Sequence, residues 1–102
     1  MAVRIRVTPD PPVPNEPVKI VASFANHGDL DRRVTRIEES AHTKGGMAPL
    51  KSVKLPAEVK MGGSLAFYRY EGIFRGEFYK ALRVFDRHGD SWQSTVHLEP
   101  CD

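Results

Sequence analysis

The chain alternates apolar and polar residues with a period of two, and this alternation constrains its fold more than any other feature. Three stretches show it clearly: Val3-Arg4-Ile5-Arg6-Val7, residues 18–25 and residues 92–99. Successive side chains of a β-strand point to opposite faces, so the period predicts strands with one buried and one exposed face. A helix needs a period near 3.6, and glycine and proline interrupt the chain before about ten residues can show one. The sequence therefore predicts an all-β protein.

Four further stretches alternate less regularly and are also predicted as strands: 33–41, 51–55, 64–71 and 78–86. In the first of them, Val34 and Ile37 would fall on opposite faces of a regular strand. Either a β-bulge shifts the register between them, or only one of them is buried. Turns containing glycine separate the strands. The sharpest is Arg87-His88-Gly89-Asp90, which predicts a hairpin in which Gly89 takes a positive φ.

Length and composition indicate a single domain spanning residues 1–102. Hydrophobic residues make up 40% and charged residues 27% of the chain, as in ordinary globular proteins, which argues against disorder. Seven short strands in a domain of this size predict an immunoglobulin-like antiparallel sandwich of two sheets. Trp92 begins the apolar face of the last strand, and we expect it to be buried against Phe24 and Leu82.

The turns and the prolines also carry a resemblance to a known group of modules. A proline-rich lead-in at residues 8–18 precedes a strand that ends at an Asn-x-Gly turn, Asn26-His27-Gly28. Further on, Gly76-Glu77-Phe78-Tyr79 leads to a final hairpin at Asp86-Arg87-His88-Gly89. In these features the chain resembles bacterial immunoglobulin-like modules of the adhesion-related and polycystic-kidney-disease-like kinds. The resemblance implies a sandwich fold, and such folds host many different functions.

Neither nucleic acid nor a membrane is predicted as a partner. The formal net charge of +2 is too small to indicate a nucleic-acid surface. The longest uncharged apolar stretch, residues 20–25, is shorter than a signal peptide core and far shorter than a membrane span. We therefore expect a cytoplasmic protein, or a module excised from a larger one.

No motif for catalysis or for a cofactor is present. The chain lacks a Gly-x-Ser-x-Gly nucleophile turn and a glycine-rich phosphate loop followed by lysine. Glu38 and Glu39 are adjacent, so on a strand they point to opposite faces and cannot act together as acid and base. The sequence predicts a protein that is not an enzyme and has no cofactor.

Metal binding is the alternative function that the sequence leaves open. Histidine, methionine and cysteine side chains would supply the ligands of a small copper- or zinc-handling sandwich protein. None of these residues has the close spacing that marks a metal site. The residues concerned are His27, His42, His88, His97, Met47, Met61 and Cys101.

A surface for a protein partner is the function that we favour from the sequence. Strand parity places Tyr68 and Tyr70 on one outer face, and Tyr79 and Phe85 on another. Exposed aromatic residues of this kind are typical of interfaces. A shift in register would instead turn these aromatics inward and leave Arg69 and Lys80 outside. Both interpretations remain open at this point, particularly for the second pair.

The last strand adds two residues to this candidate surface, Thr95 and His97. Residues 91–99 contain neither proline nor glycine, and unprotected strand edges recruit other strands. If this strand lies at the edge of its sheet, it predicts a homodimer or a partner complex formed beside it and beside the neighbouring strand, residues 78–86. The expected function is therefore a non-catalytic binding or structural module.

Overall fold

A computed structural model describes residues 2–41, 46–51 and 53–99 of the chain. The described residues form eight strands, and every pair of neighbouring strands is antiparallel. The all-β prediction is confirmed. No helix in these three ranges is long and apolar enough to cross a bilayer. The strands are β1 (Ala2–Thr8), β2 (Pro17–Ala25), β3 (Arg32–Ser40), β4 (Ala48–Pro49), β5 (Ala57–Val59), β6 (Ser64–Ile73), β7 (Phe78–Asp86) and β8 (Ser91–Leu98).

The strands form two sheets, as the sandwich prediction requires. One sheet has the order β1-β2-β6, and the other has the order β4-β3-β7-β8 with β5 also paired to β3. This is the order of strands A, B and E and of strands C, F and G in an immunoglobulin sandwich. Strand β1 packs across the sandwich from β8, so the two sheets meet most closely on that side. The fold class predicted from the sequence is confirmed.

Six of the seven predicted strands are present, and the one at residues 51–55 is wrong. The chain instead forms the short strands β4 and β5 on either side of that stretch. Val53 and Leu55 still pack against the core, but they do so from a loop. Apolar alternation over a few residues shows which side chains are buried and does not by itself provide a neighbouring strand to pair with.

The core lies between the sheets and is built from the inward faces of β2, β3 and β7. Phe24, Ile37 and Leu82 are essentially inaccessible to solvent. Trp92 packs against this core with its ring centroid 5.1 Å from that of Phe24, so the predicted contact with Phe24 is confirmed. Trp92 is half-buried rather than buried as predicted, because β8 is the last strand of its sheet.

Two β-bulges change the parity of the side chains along their strands. In the β3–β7 pair, Val34 lies opposite Asp86 while Arg36 lies opposite Phe85, so Thr35 is an extra residue. Val34 and Ile37 can therefore both point inward, and each is at most 1% exposed. Of the two alternatives that the sequence left open for this strand, the bulge is the correct one.

Asn26 joins three connections at one end of the sandwich. Its fully buried side chain donates from Nδ2 to the carbonyls of Leu30 and Val59, 2.9 Å away in each case. Its Oδ1 accepts a hydrogen bond from the Gly28 N–H. The backbone N–H of Asn26 donates to the carbonyl of Gly63. The Asn26 side chain therefore holds the β2–β3 connection against β5, and its backbone N–H ties the same connection to the turn before β6.

We expect Asn26→Ala to lower the free energy of unfolding by about 2–3 kcal/mol, because it leaves buried carbonyls without their donor. Asn26→Asp has the same shape and keeps the acceptor oxygen, but it brings a carboxylate to the same two carbonyls. It should therefore destabilise the fold at least as much as Asn26→Ala. Urea unfolding of the three proteins measures both effects. If Asn26→Asp is as stable as the parent, the Nδ2 hydrogen bonds do not stabilise this connection.

Asp86 organises the turn between β7 and β8. The Asp86 N–H donates to the Asp90 carbonyl at 3.0 Å, and the Gly89 N–H donates to the Asp86 carbonyl at 3.2 Å. Gly89 has a φ of 87°, which confirms the predicted left-handed position. The buried carboxylate of Asp86 accepts hydrogen bonds at Oδ1 from the N–H groups of His88 and Asp90. Its Oδ2 lies 3.0 Å from Nη1 of Arg32 on β3.

We expect Gly89→Val to lower the free energy of unfolding by about 1–2 kcal/mol through left-handed backbone strain. A Cβ at this position meets no atom within 4 Å, so a clash of the Cβ itself does not contribute to the loss of stability. Gly89→Asn should cost less, because asparagine tolerates positive φ better than β-branched residues do. Thermal unfolding of both variants makes the comparison, and equal losses would contradict the strain explanation.

Candidate functional site

Four of the six predicted surface residues lie together on the outer face of the five-stranded sheet. Tyr79 on β7 lies directly opposite His97 on β8, with their ring centroids 5.8 Å apart and their planes at 78°. Thr95 lies opposite Ala81, two residues further along each strand. Phe85 lies near the other end of β7. We use the term outer face for the outward side chains of these two strands: Tyr79, Ala81, Arg83, Phe85, Ser91, Gln93, Thr95 and His97.

Tyr68 and Tyr70 are not part of this surface, and their predicted outward orientation is wrong. In the β2–β6 pair, Ala22 lies opposite Tyr68 while Ser23 lies opposite Ala66, so a bulge at Phe67 reverses the parity of the strand. Both tyrosines then pack against the core between the sheets, and the ring centroid of Tyr70 lies 4.9 Å from that of Phe78. The inward alternative is correct for this pair.

The opposite outcome holds on β7, where Tyr79 and Phe85 point outward and Lys80 points inward. Lys80 Nζ lies 3.7 Å from a carboxylate oxygen of Glu39 and 5.5 Å from the centroid of the Tyr68 ring. Its ammonium group is therefore enclosed by an acid and an aromatic face, which allows a lysine between the sheets. Glu38, by contrast, pairs with Arg36. The two neighbouring glutamates are on opposite faces, as predicted.

The position of Tyr68 between the sheets changes its acidity. Burial raises the pKa of the Tyr68 hydroxyl above its ordinary value of 10.0, and the nearby Glu39 carboxylate and Tyr70 raise it further. The neutral form is favoured in the folded chain because a buried tyrosinate loses hydration and faces a negative charge. In this state the hydroxyl is not an exposed contact for a partner.

We expect the free energy of unfolding to fall as the pH rises above about 10, because the unfolded chain releases the Tyr68 proton first. Below that pH both states hold the proton, so the contribution of Tyr68 does not change there. Tyr68→Phe removes this contribution and should make the stability fall less steeply in the same range. Urea unfolding between about pH 9 and pH 11 measures the two slopes. Identical slopes would contradict the raised pKa.

Two arginines flank the Phe85 ring, and neither was predicted as part of this surface. The guanidinium carbon of Arg36 on β3 lies 4.2 Å from the centroid of the Phe85 ring, and that of Arg83 lies 6.0 Å from it. Arg83 also donates from Nε to Oε1 of Gln93 at 2.9 Å. Phe85 therefore presents a ring flanked by cations. Strand pairing brings these residues together, and the sequence gives no direct sign of which strands are neighbours.

His97 lies at the other end of the outer face, between two carboxylates. Its Nε2 lies 3.0 Å from Oε1 of Glu77 and 3.5 Å from Oε1 of Glu99. Glu77, Glu99 and His97 are all exposed, so these contacts hold the imidazole in place more than they stabilise the fold. The outer face thus has an arginine-rich end and an acidic end.

The hydrogen bonding of the β7–β8 hairpin shows which groups of β8 are free. Next to the turn, the Asp86 N–H donates to the Asp90 carbonyl, so these two residues occupy a hydrogen-bonding position between the strands. Antiparallel pairs alternate between bonded and non-bonded, so every second residue of β8 from Trp92 onward bonds to β7. The intervening residues direct their backbone N–H and C=O groups to the open edge of the sheet, since β8 is its last strand. These residues are Ser91, Gln93, Thr95 and His97.

A second concave surface lies at the end of the sandwich that Asn26 and Asp86 organise. This groove encloses about 790 Å³ between the β2–β3 connection, β5 and the β7–β8 turn. Leu30 and Met61 line it and are 67% and 61% exposed. The wall contains the ion pair between Arg32 and the buried Asp86 carboxylate. The remaining lining side chains carry both signs of charge, so the groove favours neither an anion nor a cation.

The described residues do not bring together three His, Cys, Asp or Glu side chains that could hold a metal ion. Two of the residues named for a metal site, His42 and Cys101, lie outside the described ranges. Metal handling has no geometric support in residues 2–41, 46–51 and 53–99, and it stays a prediction from the sequence.

No family model matches this chain, and no curated protein matches it either. The resemblance to bacterial immunoglobulin-like modules therefore remains a prediction, whereas the two-sheet sandwich itself is observed. A sandwich fold alone does not specify a function, because such folds host many different ones.

Proposed function

We propose that this protein is a non-catalytic interaction module that binds a β-strand of a protein partner along the open edge of β8. The partner strand would extend the five-stranded sheet and bring its side chains over the outer face. Recognition of this kind obtains affinity from backbone hydrogen bonds and specificity from alternate side chains. The observation that carries the proposal is that β8 lacks the features that protect the other sheet edges.

The other edge strands are protected in ways that natural sheets commonly use. On the far side of the five-stranded sheet, β4 ends at Pro49 and β5 follows Pro56, and both strands are very short. At one edge of the three-stranded sheet, β6 contains a bulge and the exposed ion pair of Arg69 with Glu71. Short length, proline, irregular pairing and charge all disfavour addition of another strand.

Strand β1 is also an edge, and it carries two exposed arginines, Arg4 and Arg6. By contrast, β8 has no bulge in its pairing with β7, contains no proline, and has only His97 as a side chain that can become charged. Its exposed side chains beside the edge are Ser91, Gln93, Thr95 and His97. These residues are small or polar and leave the row of backbone groups accessible.

The outer face supports the same proposal through its composition. Tyrosine, phenylalanine and arginine are enriched in protein interfaces, and Tyr79, Arg83 and Phe85 all lie on the same face of β7. Phe85 is half-buried beneath the guanidinium of Arg36, so it offers an ordered aromatic group without a large exposed apolar patch. A strand added at β8 would lie next to these residues.

Peptides selected from a displayed library of nine-residue sequences test the proposal on the purified chain. Bound peptides should slow amide hydrogen exchange at Gln93, Thr95 and His97, whose N–H groups face the open edge. Exchange at Ser94 and Val96, whose amides already bond to β7, should change little. Thr95→Pro removes one outward donor and should weaken peptide binding by at least about tenfold.

Thr95→Ala is the matched control, because it removes the same side chain but keeps the backbone donor. It should bind the selected peptides within about threefold of the parent, since the hydrogen bond to the edge is unchanged. Far-ultraviolet circular dichroism of both variants checks that the sandwich is intact. Peptides that bind equally to Thr95→Pro and to the parent, or that protect a different strand, would refute edge binding.

A further inference from the structure

We infer that the strand that pairs with β8 is β8 of a second copy of this chain, running antiparallel about a two-fold axis at Thr95. This inference rests on the proposed function, because it names the occupant of the same edge. The resulting homodimer would contain one continuous sheet that crosses from one copy to the other. Strand β8 is self-complementary in its backbone groups, its side chains and its length.

The backbone groups of β8 match those of a second copy without any adjustment. A two-fold axis that relates two antiparallel strands places a residue opposite itself when the axis passes through that residue. With the axis at Thr95, outward-facing residues meet outward-facing residues, so each N–H of one edge faces a C=O of the other. Thr95 lies midway between Trp92 and Leu98, so the paired segment runs over the whole of that stretch.

The side chains in this register are also compatible. On the outer face, Gln93 lies opposite His97 of the second copy, and neither side chain carries a fixed charge. On the inner side, Trp92 lies opposite Leu98 of the second copy. Both residues are half-buried and pack against the core in the single chain. Pairing would remove from water the apolar surface that Trp92 and Leu98 now expose at the open edge. Burial of this surface favours association.

Neighbouring registers are less favourable. Moving the axis to Val96 brings the polar Ser94 opposite Leu98, so Trp92 and Leu98 no longer pack against each other. Moving it to Ser94 brings the apolar Leu98 opposite Asp90, whose carboxylate is 63% exposed at the end of the turn. A net charge of +2 on each copy produces little repulsion between them. The register centred on Thr95 therefore avoids both unfavourable pairs.

Disulfide cross-linking in a Cys101→Ser background tests the register directly. Opposed residues of a hydrogen-bonded antiparallel pair have Cα atoms about 5.5 Å apart, within the range for a disulfide. Thr95→Cys should therefore form a covalent dimer under a glutathione redox buffer. Gln93→Cys alone should not, because its two copies would be roughly 13 Å apart along the strands. An equimolar mixture of Gln93→Cys and His97→Cys should form the mixed dimer.

The expected result is at least about a tenfold faster dimerisation for Thr95→Cys, and for the mixture, than for Gln93→Cys or His97→Cys alone. Light scattering should give the mass of two chains for the parent at millimolar concentration and of one chain for Thr95→Pro. Comparable cross-linking at all positions, or faster cross-linking of Gln93→Cys alone, would overturn the register.

The outcome also separates this inference from the proposed function. A parent that remains a monomer at millimolar concentration, but binds selected peptides at the β8 edge, overturns the homodimer and leaves strand binding supported. A parent that dimerises with the predicted cross-links supports both. A parent that neither dimerises nor protects the outward amides of β8 with any selected peptide overturns both.

Discussion

The buried carboxylate of Asp86 is the interaction on which the arrangement of the five-stranded sheet depends. One oxygen accepts two backbone N–H groups of the β7–β8 turn, and the other pairs with Arg32 at the start of β3. The same side chain therefore closes the final hairpin and ties it to the neighbouring strand. A buried carboxylate is stable only when it is paired and hydrogen-bonded in this way. The geometry of this turn then determines which backbone groups of β8 bond to β7 and which face the open edge.

Single extra residues decide which aromatic side chains are available to a partner. Thr35 and Phe67 each form a bulge, and each reverses the alternation in the rest of its strand. The bulge at Phe67 turns Tyr68 inward, where burial raises the pKa of its hydroxyl. The β7–β8 pair has no bulge, so Tyr79 and Phe85 remain outside. Similar alternation therefore places the tyrosines of β6 in the core but leaves Tyr79 and Phe85 of β7 on the surface.

The sheet edges differ in how well they are protected against pairing with another strand. This difference supports the proposed interaction at β8. Proline, short length, a bulge or charge is found at β4, β5, β6 and β1. Strand β8 has none of these devices and lies beside the aromatic and arginine side chains of the outer face. Association through β8 would satisfy the free backbone groups and cover the open side of Trp92. Among the strands that the structure describes, β8 alone lacks such protection, which favours a closed pair over an extended assembly.

The sequence by itself determined the fold class, most of the strands, the bulge as one alternative for β3, and the positive φ of Gly89. These features depend on local properties: alternation of apolar residues, and the left-handed conformation that glycine adopts without strain. Only the tertiary structure decided the orientation of Tyr68 and Tyr70, the half-burial of Trp92, the placement of Arg36 over Phe85 and the edge position of β8. Each of these depends on which strands are neighbours and on where a register shifts by one residue, and such long-range pairings leave no periodic signal in the chain.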